Sequence, residues 1–266
     1  MGKFNNKTVW ITGASSGIGE AVAYRLAQEG ARLILTSRTR EALESVAGKC
    51  KLSGAPEVRI LPYDLSDTGN LDNLADTAWQ MFGRIDILFN NAGISQRSLT
   101  TETDVSVIRK IMDINFMAPV ILTKRILPRM IGQGGGNIAV TSSINGLFGF
   151  PLRCAYSSSK HALYGFFETV RAEYHDTGIR VTIVCPGRVR TNISMNAIDA
   201  NGLPHGKMDS GQAGGISPQK AADKIVNAIY RGKPEVLVGG KELIMVYIKR
   251  LFPRLCDLLS RKVSPT

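Results

Sequence analysis

The stretch Thr8-Val9-Trp10-Ile11-Thr12-Gly13-Ala14-Ser15-Ser16-Gly17-Ile18-Gly19, running on into Glu20-Ala21-Val22-Ala23-Tyr24-Arg25-Leu26-Ala27, decides how this chain folds. A short apolar, β-branched run reads as a buried strand, and a helical pattern follows the turn. Between them lie three glycines and two serines. Glycine lets backbone approach a ligand closely, and the first turn of a helix offers unpaired N–H groups and the positive dipole end. A strand, a glycine-rich turn and a helix start provide what a pyrophosphate needs. The spacing is G-x-x-x-G-x-G rather than G-x-G-x-x-G. Any tight βα turn favours glycine, but the two added serines point to a ligand. Gly13, Ser15, Ser16, Gly17, Ile18 and Gly19 are therefore candidate phosphate-binding residues.

Outward from this unit the same alternation repeats almost to the end. Strands are expected at 8–12, 32–37, 58–63, 85–90, 136–142, 180–185 and 235–238. Helices are expected at 17–29, 40–52, 71–82, 104–131, 157–177 and 218–231. Such alternation means βαβ units and a parallel sheet, an α/β fold. The strands are nearly all apolar, as when helices cover both faces. Two regions break the pattern: an aperiodic stretch at 192–216, too long for an ordinary connection, and the tail after Val238.

The end of the second strand reads Leu35-Thr36-Ser37-Arg38. An NAD site wants an acid there to hold the ribose 2′-hydroxyl. Ser37 and Arg38 stand instead, and an arginine can pair with a 2′-phosphate through charge-assisted hydrogen bonds. That favours NADP(H) as cofactor.

Tyr156 and Lys160 are four residues apart at a helix start, so they share a face. An ammonium beside a phenol favours the phenolate, and a phenol so tuned exchanges a proton near neutral pH. Tyr-x-x-x-Lys alone is common. Here Ser143 closes a strand thirteen residues before Tyr156, and Pro186-Gly187 follows the next strand on the same carboxyl edge. Ligands bind on that edge.

With these motifs assembled, the chain resembles the short-chain dehydrogenase/reductase superfamily from about Lys7 to Gly239. The resemblance rests on Thr12-Gly13-x-x-x-Gly17-Ile18-Gly19, Asp64-Leu65, Asn90-Asn91-Ala92-Gly93, Asn115, Ser143, Tyr156-x-x-x-Lys160 and Pro186-Gly187-x-Val189-x-Thr191, in family order. It implies a single doubly wound Rossmann-type domain with a seven-stranded parallel sheet, here residues 1–239, with 240–266 as a helical extension of the same domain. It implies hydride transfer between NADP(H) and a carbonyl or secondary alcohol. In that scheme Tyr156 is the general acid–base and Ser143 holds the reacting oxygen. Lys160 holds the nicotinamide ribose, and Asn115 positions a water in the proton relay. Asp64 and Leu65 line the adenine site, and Asn91, Ala92 and Gly93 pass along the cofactor. Pro186, Gly187, Val189 and Thr191 meet the carboxamide and phosphate side. Many NADP(H)-preferring relatives carry a basic residue where this chain has Ser16, which leaves Arg38 most of the 2′-phosphate recognition. A non-enzymatic alternative, an NADPH-sensing binding protein, would be marked by loss of Tyr156 or Lys160; both are present. The resemblance also implies a homodimer or homotetramer, built on the apolar helices at 104–131 and 157–177.

The net charge is +11, from 33 basic and 22 acidic residues. Without a nucleic-acid motif that charge argues for no DNA or RNA partner. Cys50, Cys154, Cys185 and Cys256 show no paired spacing, so neither a zinc site nor a disulfide framework is expected, and a reducing, cytoplasmic setting fits. Cys154 is expected to face the substrate cleft as a plain thiol. No apolar run reaches the ~20 residues of a membrane span. The tail is amphipathic, with apolar residues at 243–248, 251, 252, 255, 258 and 259 and bases at 249, 250, 254, 261 and 262. It is similar to tails of the 11β-hydroxysteroid dehydrogenase and dehydrogenase/reductase member 7 branch. Residues 242–262 are expected as one or two helices capping the substrate entrance or packing on a second subunit. The alternatives are peripheral contact with an anionic membrane and completion of the core. A tail over the pocket or on a second subunit, and equally a tail on a membrane, suits an apolar steroid, retinoid or lipid-like substrate.

Overall fold

The computed structural model describes residues 2–261. Its seven strands are β1 (Thr8–Thr12), β2 (Arg32–Thr36), β3 (Val58–Ile60), β4 (Ile87–Asn90), β5 (Gly136–Thr141), β6 (Ile179–Pro186) and β7 (Glu235–Val238). They form one all-parallel sheet in the order β3-β2-β1-β4-β5-β6-β7. The chain winds from β1 toward β3, then returns to the middle and winds from β4 toward β7. The reversal opens a crevice at the carboxyl ends of β1 and β4, the place where such sheets bind ligands.

Alternate residues of each strand serve opposite faces. Val9, Ile11, Leu33, Leu35 and Phe89 pack with α1 (Gly17–Gln28), α2 (Arg40–Leu52) and α8 (Pro218–Tyr230). Trp10, Ile34, Leu88, Ile138 and Val140 pack with α3 (Leu71–Phe82), α5 (Ala118–Gly132) and α6 (Cys154–Glu173). The buried Trp10 indole donates to Thr36 Oγ1 at 2.9 Å, so its single polar atom is satisfied. This double burial explains strands that are apolar throughout.

Several boundaries differ from the sequence expectation. Strand β3 ends at Ile60, although Leu61 N and Tyr63 N still donate to Leu35 O and Ser37 O. It is the edge strand, with no neighbour beyond to hold it straight. The expected helix at 104–131 is α4 (Val105–Met112) and α5 joined through a π-turn at Asp113–Met117. Helix α6 begins at Cys154, three residues before the expected start, and so places Tyr156 on its first turn.

The 192–216 segment contains only α7 (Ser210–Ala213) as a regular element, yet it is pinned. Ile198 bridges to Gln96 and to Pro204, and Val189 bridges to Ile216. Beyond β7 the tail forms two helices, α9 (Ile244–Leu251) and α10 (Pro253–Ser260), broken at Phe252 ahead of Pro253. Lys262, the expected end of the tail helix, lies outside the described residues.

Candidate active site

The glycine loop closes on the β1–β4 crevice. Gly13 and Gly17 have φ of 65° and 60°, which an L side chain rarely adopts. A Cβ at Gly13 would lie 2.7 Å from Ala92 Cα, and one at Gly19 would lie 2.2 Å from Gly13 O. Glycine is thus required by sheet packing and by the turn together. Ser16 caps α1 without a side-chain capping bond, and it lines the crevice beside the helix start, where the first N–H groups have no helical partner.

Asn91 knits the floor. Its N–H donates to Thr12 Oγ1 at 3.0 Å, its amide donates to Thr12 O and Gly13 O, and its Oδ1 accepts from Thr141 Oγ1 at 3.1 Å. One side chain therefore ties the ends of β1, β4 and β5.

Above this floor lies a cavity of about 510 Å³. It is lined by Gly13, Ser15, Ser16, Gly17 and Ile18, by Ser37, Arg38, Asp64 and Leu65, and by Asn91, Ala92, Gly93 and Thr191. Its size suits a dinucleotide-type ligand. Arg38 is exposed at the rim. Ser37 Oγ is buried there without a protein partner, a polar atom that a bound ribose or phosphate would satisfy. The residues present fit a nicotinamide dinucleotide. Lys110, Ile114 and Asn196 also line this cavity and carry no signal in the sequence.

A second cleft of about 150 Å³ opens beside it, lined by Ser143, Tyr156, Lys160, Pro186, Gly187 and Val189. The two spaces share Ile18, Asn91, Gly93, Thr141, Thr191 and Ile193. Ser143 Oγ accepts from Asn145 N at 3.2 Å and donates to Pro186 O at 3.3 Å. Lys160 Nζ donates to Thr141 O at 2.7 Å and sits 5.7 Å from the Tyr156 ring centroid. A Cβ at Gly93 would come within 3.1 Å of Asn115 Oδ1 and 3.4 Å of Lys160 Nζ, so glycine keeps that passage open.

Three expectations are modified here. Asn115 Oδ1 accepts from Ile94 N, and its Nδ2 donates to Ile94 O and Ser159 Oγ, each at about 3 Å. Its side-chain amide braces the exit of β4 against Ser159 of α6. Cys154 turns from the cleft into a polar knot, accepting from Gln96 Nε2 at 3.2 Å and reaching Thr103 Oγ1. The charge balance also differs. Burial raises the Tyr156 phenol above its usual value; Ser143, then the charges of Arg153 and Arg97, pull it back down. Burial pushes the Lys160 ammonium down to about 7, so near neutrality it carries only part of its charge.

The sequence missed the residues that close this cleft. Arg97, Arg153 and Asp209 line it together, with Phe150, Ile193 and Gln212. Arg97 follows β4 and Arg153 precedes α6, and either could have been suspected from its place beside a motif. Asp209 lies in an aperiodic loop and gave no signal. No described residue of the tail lines either space. Val246 and Cys256 pack instead against Ile144, Phe148 and Cys185, behind the wall that carries Phe150. Over its described residues the tail is a buttress rather than a cap, because it docks on the far side of the 144–150 segment that walls the cleft.

The chain matches the model of the short chain dehydrogenase family over residues 7–202. It is 40% identical over 256 residues to a Bos taurus protein named dehydrogenase/reductase SDR family member 7B, covering 94% of this chain and 79% of that one. It is 38% identical over 261 residues to a Drosophila melanogaster dehydrogenase/reductase SDR family protein 7-like, covering 95% and 80%. Among solved structures it is similar to a Burkholderia phymatum short-chain dehydrogenase/reductase in complex with NAD, at 25% identity and a TM-score of 0.83, over 100% of this chain and 99% of that one. A Streptomyces avermitilis short-chain dehydrogenase aligns at 28% identity and 0.82, over 97% and 96%.

Proposed function

The chain belongs to the short-chain dehydrogenase family, and from that premise we propose that it moves a hydride between NADP(H) and a carbonyl or secondary alcohol at Ser143, Tyr156 and Lys160. The observation that carries this reading is the continuity of the two spaces. A nicotinamide dinucleotide along Gly13–Gly19, Asp64–Leu65 and Asn91–Gly93 would end beside Tyr156. When bound, the nicotinamide supplies or accepts the hydride. The protein's part is to hold the reacting oxygen at Ser143 Oγ and Tyr156 Oη. In reduction the phenolic proton passes to that oxygen, and in oxidation it returns. Lys160 holds the nicotinamide ribose, and Asn115 keeps the passage beside it in shape. The intact tyrosine and lysine favour turnover over a binding-only role.

NADP(H) over NAD(H) is supported by Ser37 and Arg38 and by the absence of an acid at that strand end. The cleft of about 150 Å³ is smaller than the ~300–1,000 Å³ usual for drug-sized ligands. Ile144, Phe150 and Ile193 give it an apolar wall. It suits the reacting end of an apolar steroid, retinoid or lipid-like carbonyl whose remainder extends outward. Turnover of a carbonyl panel with NADPH and NADH tests the reading, with Tyr156→Phe as control. Activity that survives Tyr156→Phe within a few-fold would overturn it.

Two observations bear on association. Six apolar side chains on the tail stay exposed: Ile244, Tyr247, Leu251, Phe252, Leu255 and Leu258. Arg254 and Arg261 stand exposed beside them. No helix among the described residues is long and apolar enough to cross a membrane. This stripe suits peripheral contact with an anionic lipid surface. Separately, Phe116 and Phe166 meet edge-on at 6.4 Å near the half-exposed Met117, an apolar face consistent with a homodimer or homotetramer. Co-sedimentation with anionic vesicles and light scattering separate the two.

A further inference from the structure

Helix α6 carries Tyr156 on its first turn, but its cap position is poorly suited to hold that turn. An N-cap residue ordinarily offers a side-chain oxygen to the first N–H groups of its helix. The cap position of α6 is Arg153, whose guanidinium can only donate, and no side-chain capping bond is made there. Two of the first N–H groups are satisfied from elsewhere in the fold. Gln96 Oε1, 59 residues before Ala155, accepts from Ala155 N at 2.8 Å and from Tyr156 N at 3.3 Å.

The capping amide is itself held fast. Gln96 is fully buried, and its Nε2 lies 3.2 Å from Ser98 Oγ, 3.1 Å from Thr103 Oγ1 and 3.2 Å from Cys154 Sγ. Backbone N–H groups only donate, so the atom facing Ala155 and Tyr156 has to be the oxygen, and the amide has one orientation. Its main chain is anchored as well. Ile198 N donates to Ser95 O and Arg97 N donates to Ile198 O, both at 2.9 Å, so Gln96 sits between two bonds to the 192–216 loop. A buried amide is costly unless its partners are in place. An apolar side chain could fill the same volume, but it could not fix the turn that carries the phenol. Gln96 lines neither the dinucleotide cavity nor the cleft, although its neighbours Ser95 and Arg97 line the cleft. It reaches the chemistry only through the residues it holds.

We propose that Gln96 is a positioning residue for Tyr156: its amide oxygen caps α6 from outside the helix and sets where the phenol stands in the cleft. The inference rests on Tyr156 being the acid–base group. The N–H that Gln96 grips belongs to that same residue, so a shift of this bond displaces the phenol. Misplacing a reacting group by about 1 Å can cost about 10²-fold in rate. Lys160, one helical turn further on, is also held by its own bond to Thr141 O at 2.7 Å. Loosening the first turn therefore disturbs the phenol more than the amine.

Three substitutions in the full chain separate the cap from the network around it. Gln96→Asn keeps the amide but withdraws its oxygen by about 1.5 Å, one C–C bond. Gln96→Met keeps length and volume and removes the amide. Gln96→Glu keeps an oxygen at the same reach and loses the amide N–H donors. With NADPH and a carbonyl substrate, Gln96→Asn and Gln96→Met should each lose about 10–100-fold in kcat. KM and NADPH affinity, the latter by fluorescence titration, should stay within a few-fold. Gln96→Glu should keep kcat within a few-fold of the unaltered chain. Hydrogen exchange at the Ala155 and Tyr156 amides should quicken about tenfold in Gln96→Asn and Gln96→Met alone. A merely structural network would behave otherwise. Gln96→Glu would then be as impaired as Gln96→Met, or all three would lose stability with kcat per folded molecule unchanged; either result overturns the inference. If neither Gln96→Asn nor Gln96→Met folds, the unaltered chain decides. Exchange of those two amides as fast as in an open peptide overturns the inference, and strong protection supports it. Full activity in Tyr156→Phe overturns the Tyr156 reading instead, and leaves the exchange results standing.

Discussion

The nucleotide cradle and the substrate cleft adjoin, share residues and are built in opposite ways. The cradle is made of backbone: the glycine turn Gly13–Ser16, the helix start at Gly17 and one asparagine whose bonds all reach the ends of adjacent strands. Its shape is fixed by what is missing, since a Cβ at Gly13 or Gly19 would collide with main chain. The cleft is made of side chains brought from far apart, and Arg97 and Asp209 stand 112 residues from each other. Backbone cradles tolerate little change in shape. Side-chain clefts leave room for charge and specificity to change while the sheet stays as it is.

Removing the proton donor should separate the two regions most sharply. Tyr156→Phe is expected to cut turnover by about 10²–10⁴-fold while NADPH affinity, read by fluorescence titration, changes little. A large loss of affinity would mean that the regions are not independent.

Lys160 lies on their border. Its amine titrates near 7 in the folded protein against 10.5 in the open chain, so burial of its charge opposes folding. The unfolded state binds more protons between these values, and stability therefore rises as pH rises from about 7 toward 10.5. Below about 7 the penalty is complete. Lys160→Met should stabilise the cofactor-free protein at pH 7 by on the order of 3 kcal/mol and flatten this slope in urea titrations. It should also weaken cofactor binding. No gain in stability would mean that the amine is better solvated than its burial implies.

Arg38→Ala tests the cradle's rim alone. NADPH binding should weaken by about 1.5–3 kcal/mol, with NADH binding nearly unchanged. Equal losses for both cofactors would remove the case for a 2′-phosphate contact.

The tail should matter least to chemistry. Leu251→Ser and Phe252→Ser alter exposed side chains, so stability should stay within about 0.5 kcal/mol and kinetics on soluble substrates should hold. Vesicle binding should fall. By contrast Val246→Ala, fully buried against Phe148 and Cys185, should cost on the order of 1–3 kcal/mol.

The sequence by itself determined the α/β fold, the strand positions to within a few residues, and the candidates in the cradle. Those features are local: apolar periodicity, a glycine turn joined to the helix after it, and a Tyr–Lys pair on one helical face. The π-turn at Asp113–Met117 lay beyond it, since no residue pattern at 113–117 differs from an ordinary helix. So did the inward turn of Cys154, which follows from Gln96 fixing the start of α6 through its bonds to Ala155 N and Tyr156 N. The tail's amphipathic pattern marked a face to be covered, yet among its described residues only Val246 and Cys256 are buried. Periodicity reveals that a face exists, not what it meets. Tertiary structure alone brought Arg97, Arg153 and Asp209 to one cleft, because Asp209 reaches the two arginines only once the 192–216 loop has folded against it.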